Sequence, residues 1–179
     1  MKTTVIVARF DAFLAAEGLH LEAIIVGGAA LGLLGLITRE TRDCDVLAPS
    51  LPEEILAAAR RFASVVRSEG FVLRDDWLNN GPESLGSVLP QGWRSRLQLA
   101  FTGQAIVLHT LAREDLLKTK LFALCDRGLD LSDCLELAPT AAELAEALPW
   151  LEQQDLNPEW PAHVRATIAD LGRRLGHEL

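Results

Sequence analysis

The chain reads as an α/β (α+β) protein: a small mixed sheet flanked by helices, with a helical C-terminal region. Three observations predict this. Leu21 to Val26 is a branched, apolar run that stops at Gly27-Gly28. Every other segment with strand character lies before Leu111. Beyond that point apolar residues recur only at helical spacing. The expected division is an α/β half over 1–110 and a helical half over 111–179.

The bulk composition fits a folded globular chain. At 179 residues it suits one domain, or one with a small appendage, and can bury a real core. Its 49% hydrophobic and 23% charged residues argue against disorder. A net charge of −8 argues against a general nucleic-acid footprint, which needs a basic stripe, though not against a local basic pocket. Cys44, Cys125 and Cys134 match neither a disulfide framework nor a zinc pattern, so reduced thiols are expected. No long apolar signal region forms at the N-terminus, and the apolar run Ala23 to Ile37 carries four glycines and is too short for a membrane span. A cytoplasmic protein without membrane partners is the expectation.

The elements follow in order. Thr4 to Ala16 has helical character and ends near Gly18. After the strand at Leu21 to Val26, a short helix is expected over Ala29 to Leu36, weakened by Gly32 and Gly35. Asp43 to Leu47 reads as a second strand. The clearest helix comes next, with Ser50 as its cap, Pro52 opening it, and Glu53 and Glu54 at its positive end. Ile55, Ala59, Phe62 and Val66 recur at helical spacing, and Gly70 stops the run. Phe71 to Leu73 suggests a short strand, and Asp75 to Trp93 a loop anchored by Trp77 and Trp93. Arg96 to Phe101 and Gln104 to His109 read as a hairpin turning at Thr102-Gly103. Helices are expected over 113–127, 131–137, 140–151 and 158–175.

Several residue groups carry chemistry. Asp43 and Asp45, two apart on a strand, leave the same face. Neighbouring carboxylates repel unless a cation lies between them, and Mg²⁺ takes one or two carboxylates plus phosphate oxygens. A solvated strand edge capped by Arg39 and Arg42 is the alternative. Gly27 and Gly28 let a backbone approach a phosphate at a helix start, or make only a packing turn. The pattern is neither GxGxxG nor a Walker loop. A helical projection places Lys120 inside an apolar stripe, with Arg127 near the same line two turns later. Lys120 either snorkels at the stripe's edge or reaches into a cleft to hold a triphosphate. Asp126, Asp130 and Asp133 cluster just beyond. His109 ends a strand and is assigned no chemistry. No G-x-S-x-G elbow is present.

The stretch VGGAALGLLGLITRETRDCDV resembles the signature of the minimal nucleotidyltransferases of the polymerase-beta-like superfamily. A further segment, DLLKTKLFALCDRGLDLSDCLEL, is similar to the downstream segment of AbiEii-type nucleotidyltransferase toxins. By that resemblance Gly27 and Gly28 lie against nucleotide phosphates, and Asp43 and Asp45 carry the metal. Lys120 contacts the nucleotide, Asp130 is the downstream acidic residue, and Arg39 and Thr41 form the Arg-x-Thr that precedes the acid pair. The implied activity is Mg²⁺-dependent transfer of a nucleoside monophosphate from an NTP to an acceptor hydroxyl on tRNA or another RNA, a protein or a small molecule. The loop 75–93 would line the acceptor site in the small-molecule case. A toxin–antitoxin context is implied too, with a silent nucleotidyltransferase-like binding module or antitoxin partner as the alternative. Two departures stand out. The strands at 96–101 and 104–109 hold no third carboxylate, and Leu129 replaces the family's lysine before the downstream Asp. Either Asp126 or Asp130 substitutes from the helical half, or the metal site is incomplete.

Overall fold

The computed structural model describes residues 2–41 and 43–177. Arg42, one of the two arginines expected to cap the acid pair, lies outside the described residues. The chain divides into two compact units, Met1–Ser87 with Gly92–Ala112, and Val88–Gln91 with Arg113–Leu179.

Among the described residues the first unit holds a five-stranded mixed sheet and three α-helices. Its elements are α1 (Thr3–Ala16), β1 (Leu21–Val26), α2 (Gly27–Leu33), β2 (Cys44–Ala48), α3 (Glu53–Ser68), β3 (Leu78–Asn79), β4 (Gln98–Thr102) and β5 (Ile106–Thr110). The sheet order is β3-β2-β1-β5-β4. β1 is antiparallel to β2 and parallel to β5, β2 is parallel to β3, and β4 and β5 form an antiparallel pair. A mixed sheet with flanking helices is the architecture the sequence predicts.

Alternation along the strands separates the two sheet faces. Ala23, Ile25, Cys44, Val46, Ile106, Leu108 and Thr110 are buried on one face. Pairing then places Glu22, Ile24, Asp45, Ala48, Val107 and His109 on the other, which stays exposed or half-buried at these positions. A register shift between Ile24 and Ile25 marks a bulge in the β1–β2 pairing.

An aromatic cluster fixes the edge of the sheet that carries β3. Phe10 on α1 and Phe62 on α3 have ring centroids 5.2 Å apart, and Trp77 stands edge-on to Phe10 at 5.1 Å. Trp77 Nε1 donates to the Ala59 carbonyl at 3.2 Å, and the Trp77 carbonyl accepts from the Cys44 N–H at 2.5 Å. That anchor sets Leu78 and Asn79 against Cys44 and Asp45. The short strand of this region is therefore Leu78–Asn79, inside the stretch read as loop. Phe71 to Leu73 forms none, because Phe71 and Val72 stay exposed and the Leu73 carbonyl accepts from Arg67 rather than from a ladder.

Other boundaries differ from expectation for local reasons. Helix α2 starts two residues early, so the glycines form its first turn. It ends in a Schellman arrangement, with Gly35 at φ 69° and the Leu36 N–H donating to the Leu31 carbonyl at 2.9 Å. Ser50 does not cap α3. Its hydroxyl donates to Glu83, and Pro52 occupies the cap position. The β4–β5 connection is longer than a two-residue turn. Asp11, reaching from α1, accepts from the N–H groups of Gln104 (3.0 Å), Ala105 (2.8 Å) and Ile106 (2.8 Å). Gly103 is required there, since a Cβ would fall 2.3 Å from the Asp11 carboxyl. Burial pushes the Asp11 carboxyl up, but the three N–H donors outweigh this and hold it below the usual aspartate value.

The second unit holds α4 (Arg113–Arg127), α5 (Leu131–Leu137), α6 (Ala141–Leu151) and α7 (Trp160–Arg174). Thr140 and Glu143 form a reciprocal capping box at the start of α6. Leu144, Leu151, Val164, Ile168 and Leu171 are buried. Among the described residues no helix is long and apolar enough to cross a membrane.

Candidate active site

The C-terminal end of β1 turns directly into α2 through Gly27 and Gly28. Gly27 has φ 72°, in the left-handed region that glycine enters without a Cβ penalty. A Cβ on Gly27 would lie 3.0 Å from Asp45 Oδ2. One on Gly28 would lie 3.2 Å from the Arg39 guanidinium and 3.3 Å from Thr41. The glycine corner therefore closes against the α2–β2 connection and the first residues of β2.

Two neutral groups hydrogen-bond to the carboxylates. Thr41, itself buried, donates from Oγ1 to Asp43 Oδ1 at 3.1 Å and to the Asp43 carbonyl at 2.9 Å. Asn79 Nδ2 donates to Asp45 Oδ1 at 3.1 Å from the neighbouring strand β3. Asp43 is exposed and Asp45 half-buried, whereas Cys44 between them faces the core. Burial pushes the Cys44 thiol up to about 12, with Asp45 and then Asp43 adding negative potential. This thiol stays protonated and is no nucleophile. Cys44, Cys125 and Cys134 are all free and buried.

Gly27, Gly28, Arg39, Thr41, Asp43 and Asp45 are thus gathered in the first unit. Lys120, Asp130 and Arg127 lie in the second. Lys120 is buried rather than snorkelling at an edge. Its Nζ lies 2.8 Å from Asp133 Oδ2 and 3.1 Å from Asp130 Oδ2. Asp133 is fully buried, and Asp130 takes a left-handed backbone (φ 65°) just before α5. Arg127 is exposed and pairs with Asp126 at 3.4 Å.

Two contributors escaped the sequence reading. Asn79 carried no signal, because its strand is two residues long and shows no periodicity. Asp133 was noticed within an acidic cluster, but nothing in the sequence marked it as the buried partner of Lys120.

Asp45 on β2 and Asp43 just before that strand supply hard oxygen donors beside the glycine corner, the donor type that Mg²⁺ takes. Among the described residues no group of three or more His, Cys, Asp or Glu side chains is placed to hold a metal ion. Two carboxylates are nonetheless within what Mg²⁺ uses when substrate phosphates complete its shell.

A mixed sheet whose central strand runs into a glycine pair, beside an Asp-x-Asp at the start of the next strand, is the arrangement of a nucleotidyltransferase-type α+β protein. The family described as "Nucleotidyltransferase of unknown function (DUF6036)" matches residues 5–138, and the chain belongs to it. No curated protein and no solved structure matches the chain.

Proposed function

We propose that this protein transfers a nucleoside monophosphate from an NTP to an acceptor hydroxyl, with Mg²⁺ held by Asp43 and Asp45. One observation carries the reading: both glycines of the corner pack against the residues that bear and orient the two acids. A magnesium ion there would neutralise phosphate charge and favour departure of pyrophosphate. The chain's own residues do the positioning. Gly27 and Gly28, by lacking Cβ atoms, let the Asp45 carboxylate, Arg39 and Thr41 approach the corner closely. Thr41, just upstream of β2, and Asn79, on β3, hold the Asp43 and Asp45 carboxylates and limit the reorganisation needed when the substrate arrives. Lys120 and Asp130 enter this proposal through the family resemblance, as a nucleotide-contacting cation and the downstream acid, and Arg127 through its place near the line of Lys120 on the same helix, as a supporting cation.

The resemblance of the α4–α5 segment to AbiEii-type toxins supports a toxin role paired with an antitoxin protein. Three free, buried thiols suit a cytoplasmic setting. One observation favours a second reading, a silent binding module. Strands β4 and β5 bear no carboxylate, and no three-acid cluster forms among the described residues. Incubation with each α-labelled NTP, Mg²⁺, total tRNA and cell lysate separates the two. Magnesium-dependent label transfer marks the enzyme. Retained nucleotide or protein binding without transfer marks the module.

A further inference from the structure

The open face of the sheet carries a cleft of about 610 Å³, within the first unit and on the same face as Asp45. Glu22, Ile24, Ala48, Arg94, Leu97 and His109 line it. This volume lies in the range of small-molecule sites. Its floor is apolar at Ile24, Ala48 and Leu97, and one wall holds Arg94, whose guanidinium sits 4.3 Å above the Trp93 ring.

His109 is the single titratable side chain on β4 and β5. It pairs with Ile24 of β1, while Asp45 pairs with Val26, two residues further along the same strand. Asp45 and His109 therefore share the open face with one strand between them. Strand spacing and rise put their Cα atoms about 12 Å apart. A phosphate and an acceptor hydroxyl can fill the space between two side chains so placed.

We propose that this cleft receives the acceptor, a small amphipathic hydroxyl compound, and that His109 takes the hydroxyl proton. The inference rests on the nucleotidyltransferase reading above. In the step, the acceptor oxygen forms a bond to the α-phosphorus and its proton passes to the His109 imidazole. The bond from the α-phosphorus to the bridging oxygen breaks, and that oxygen leaves with pyrophosphate. Glu22 on β1 and Arg94 on the wall are the charged groups lining the cleft with the imidazole, and Leu99 of β4 is its paired neighbour. An acceptor of small size also accords with the net charge of −8, which disfavours a polyanion.

The test uses the full chain with Mg²⁺, α-labelled NTPs and three separate acceptor pools: low-molecular-weight extract, total RNA and total protein. Label is expected in the small-molecule pool. His109→Gln is expected to slow transfer about 100-fold, within the usual range for a general base, while magnesium-dependent nucleotide binding stays at the wild-type level. Its rate profile should also lose the limb that an imidazole imposes between pH 5 and 8. Ala48→Trp, which fills the cleft, should raise the acceptor KM and leave the nucleotide KM unchanged. Leu97→Trp decides the point if circular dichroism shows that Ala48→Trp does not fold. Wild-type transfer and an unchanged pH limb in His109→Gln would overturn the inference. So would an unmoved acceptor KM in the filled clefts, label confined to RNA or protein, or nucleotide binding without transfer to any pool. Absence of magnesium-dependent nucleotide binding in the wild type removes the parent reading as well, so the two failures are distinguishable.

Discussion

Two pairs of aspartates close together in sequence meet different fates in this protein. Asp43 and Asp45 stand exposed and half-buried beside the glycine corner, oriented by a threonine hydroxyl and an asparagine amide. Asp130 and Asp133 converge on a buried lysine, and Asp133 has no exposed surface. Spacing alone does not explain the contrast. Asp45 sits on the sheet face that is left open, and Asp43, just before β2, is exposed. Asp130 and Asp133 lie around the start of α5, where the second turns toward the core. The first pair can be altered with little harm to the fold. The second is an ionic knot in an apolar setting, where loss of one partner leaves an uncompensated charge.

Lys120→Met breaks the comparison most forcefully. It should destabilise the helical unit by about 3–5 kcal/mol, because Asp133 then stays buried without its cation. Urea unfolding monitored by circular dichroism checks this. A Lys120 whose main work is on the nucleotide would instead lose binding with little change in the urea midpoint.

Asp11 is a further aspartate and a useful control, since it works for the scaffold of the first unit. Asp11→Ala should cost about 3 kcal/mol, because three backbone N–H groups lose a charged acceptor. Its carboxyl lies below the ordinary aspartate value in the fold. Its contribution is therefore complete above the unfolded aspartate pKa of about 4 and fades as pH falls through the lowered folded value. Urea midpoints measured across that acid range should decline in the wild type, and the part due to Asp11 should vanish in Asp11→Asn.

Gly27→Ala sharpens the account of the corner. A left-handed φ of 72° and the 3.0 Å approach to Asp45 Oδ2 oppose a side chain there. The expected loss is about 1–2 kcal/mol, with nucleotide affinity falling along with it as Asp45 is displaced. Calorimetric binding and thermal unfolding on the same sample read both effects.

Much of this fold was legible in advance. Strand β1 and helices α4 and α5 were predicted with their observed bounds, because branched runs and helical spacing there meet clear stops. What was not legible depends on distant groups. The hairpin connection is set by Asp11, more than ninety residues away, and β3 exists because Trp77 is anchored to α3. No local pattern records either contact. Lys120 illustrates the middle case. Its place in an apolar stripe left snorkelling at the edge and a role in a cleft both open, and its pairing with Asp130 and Asp133 emerged only in three dimensions.

The central claim is that Asp43 and Asp45 bind a phosphorylated ligand through a divalent ion, and titration calorimetry of MgNTP against Asp43→Asn/Asp45→Asn addresses it most directly. The account expects magnesium-dependent binding in the wild type and none in the double variant, with the unfolding free energy from urea titration moved by no more than about 1 kcal/mol. Equal heats of binding from the two proteins would contradict it.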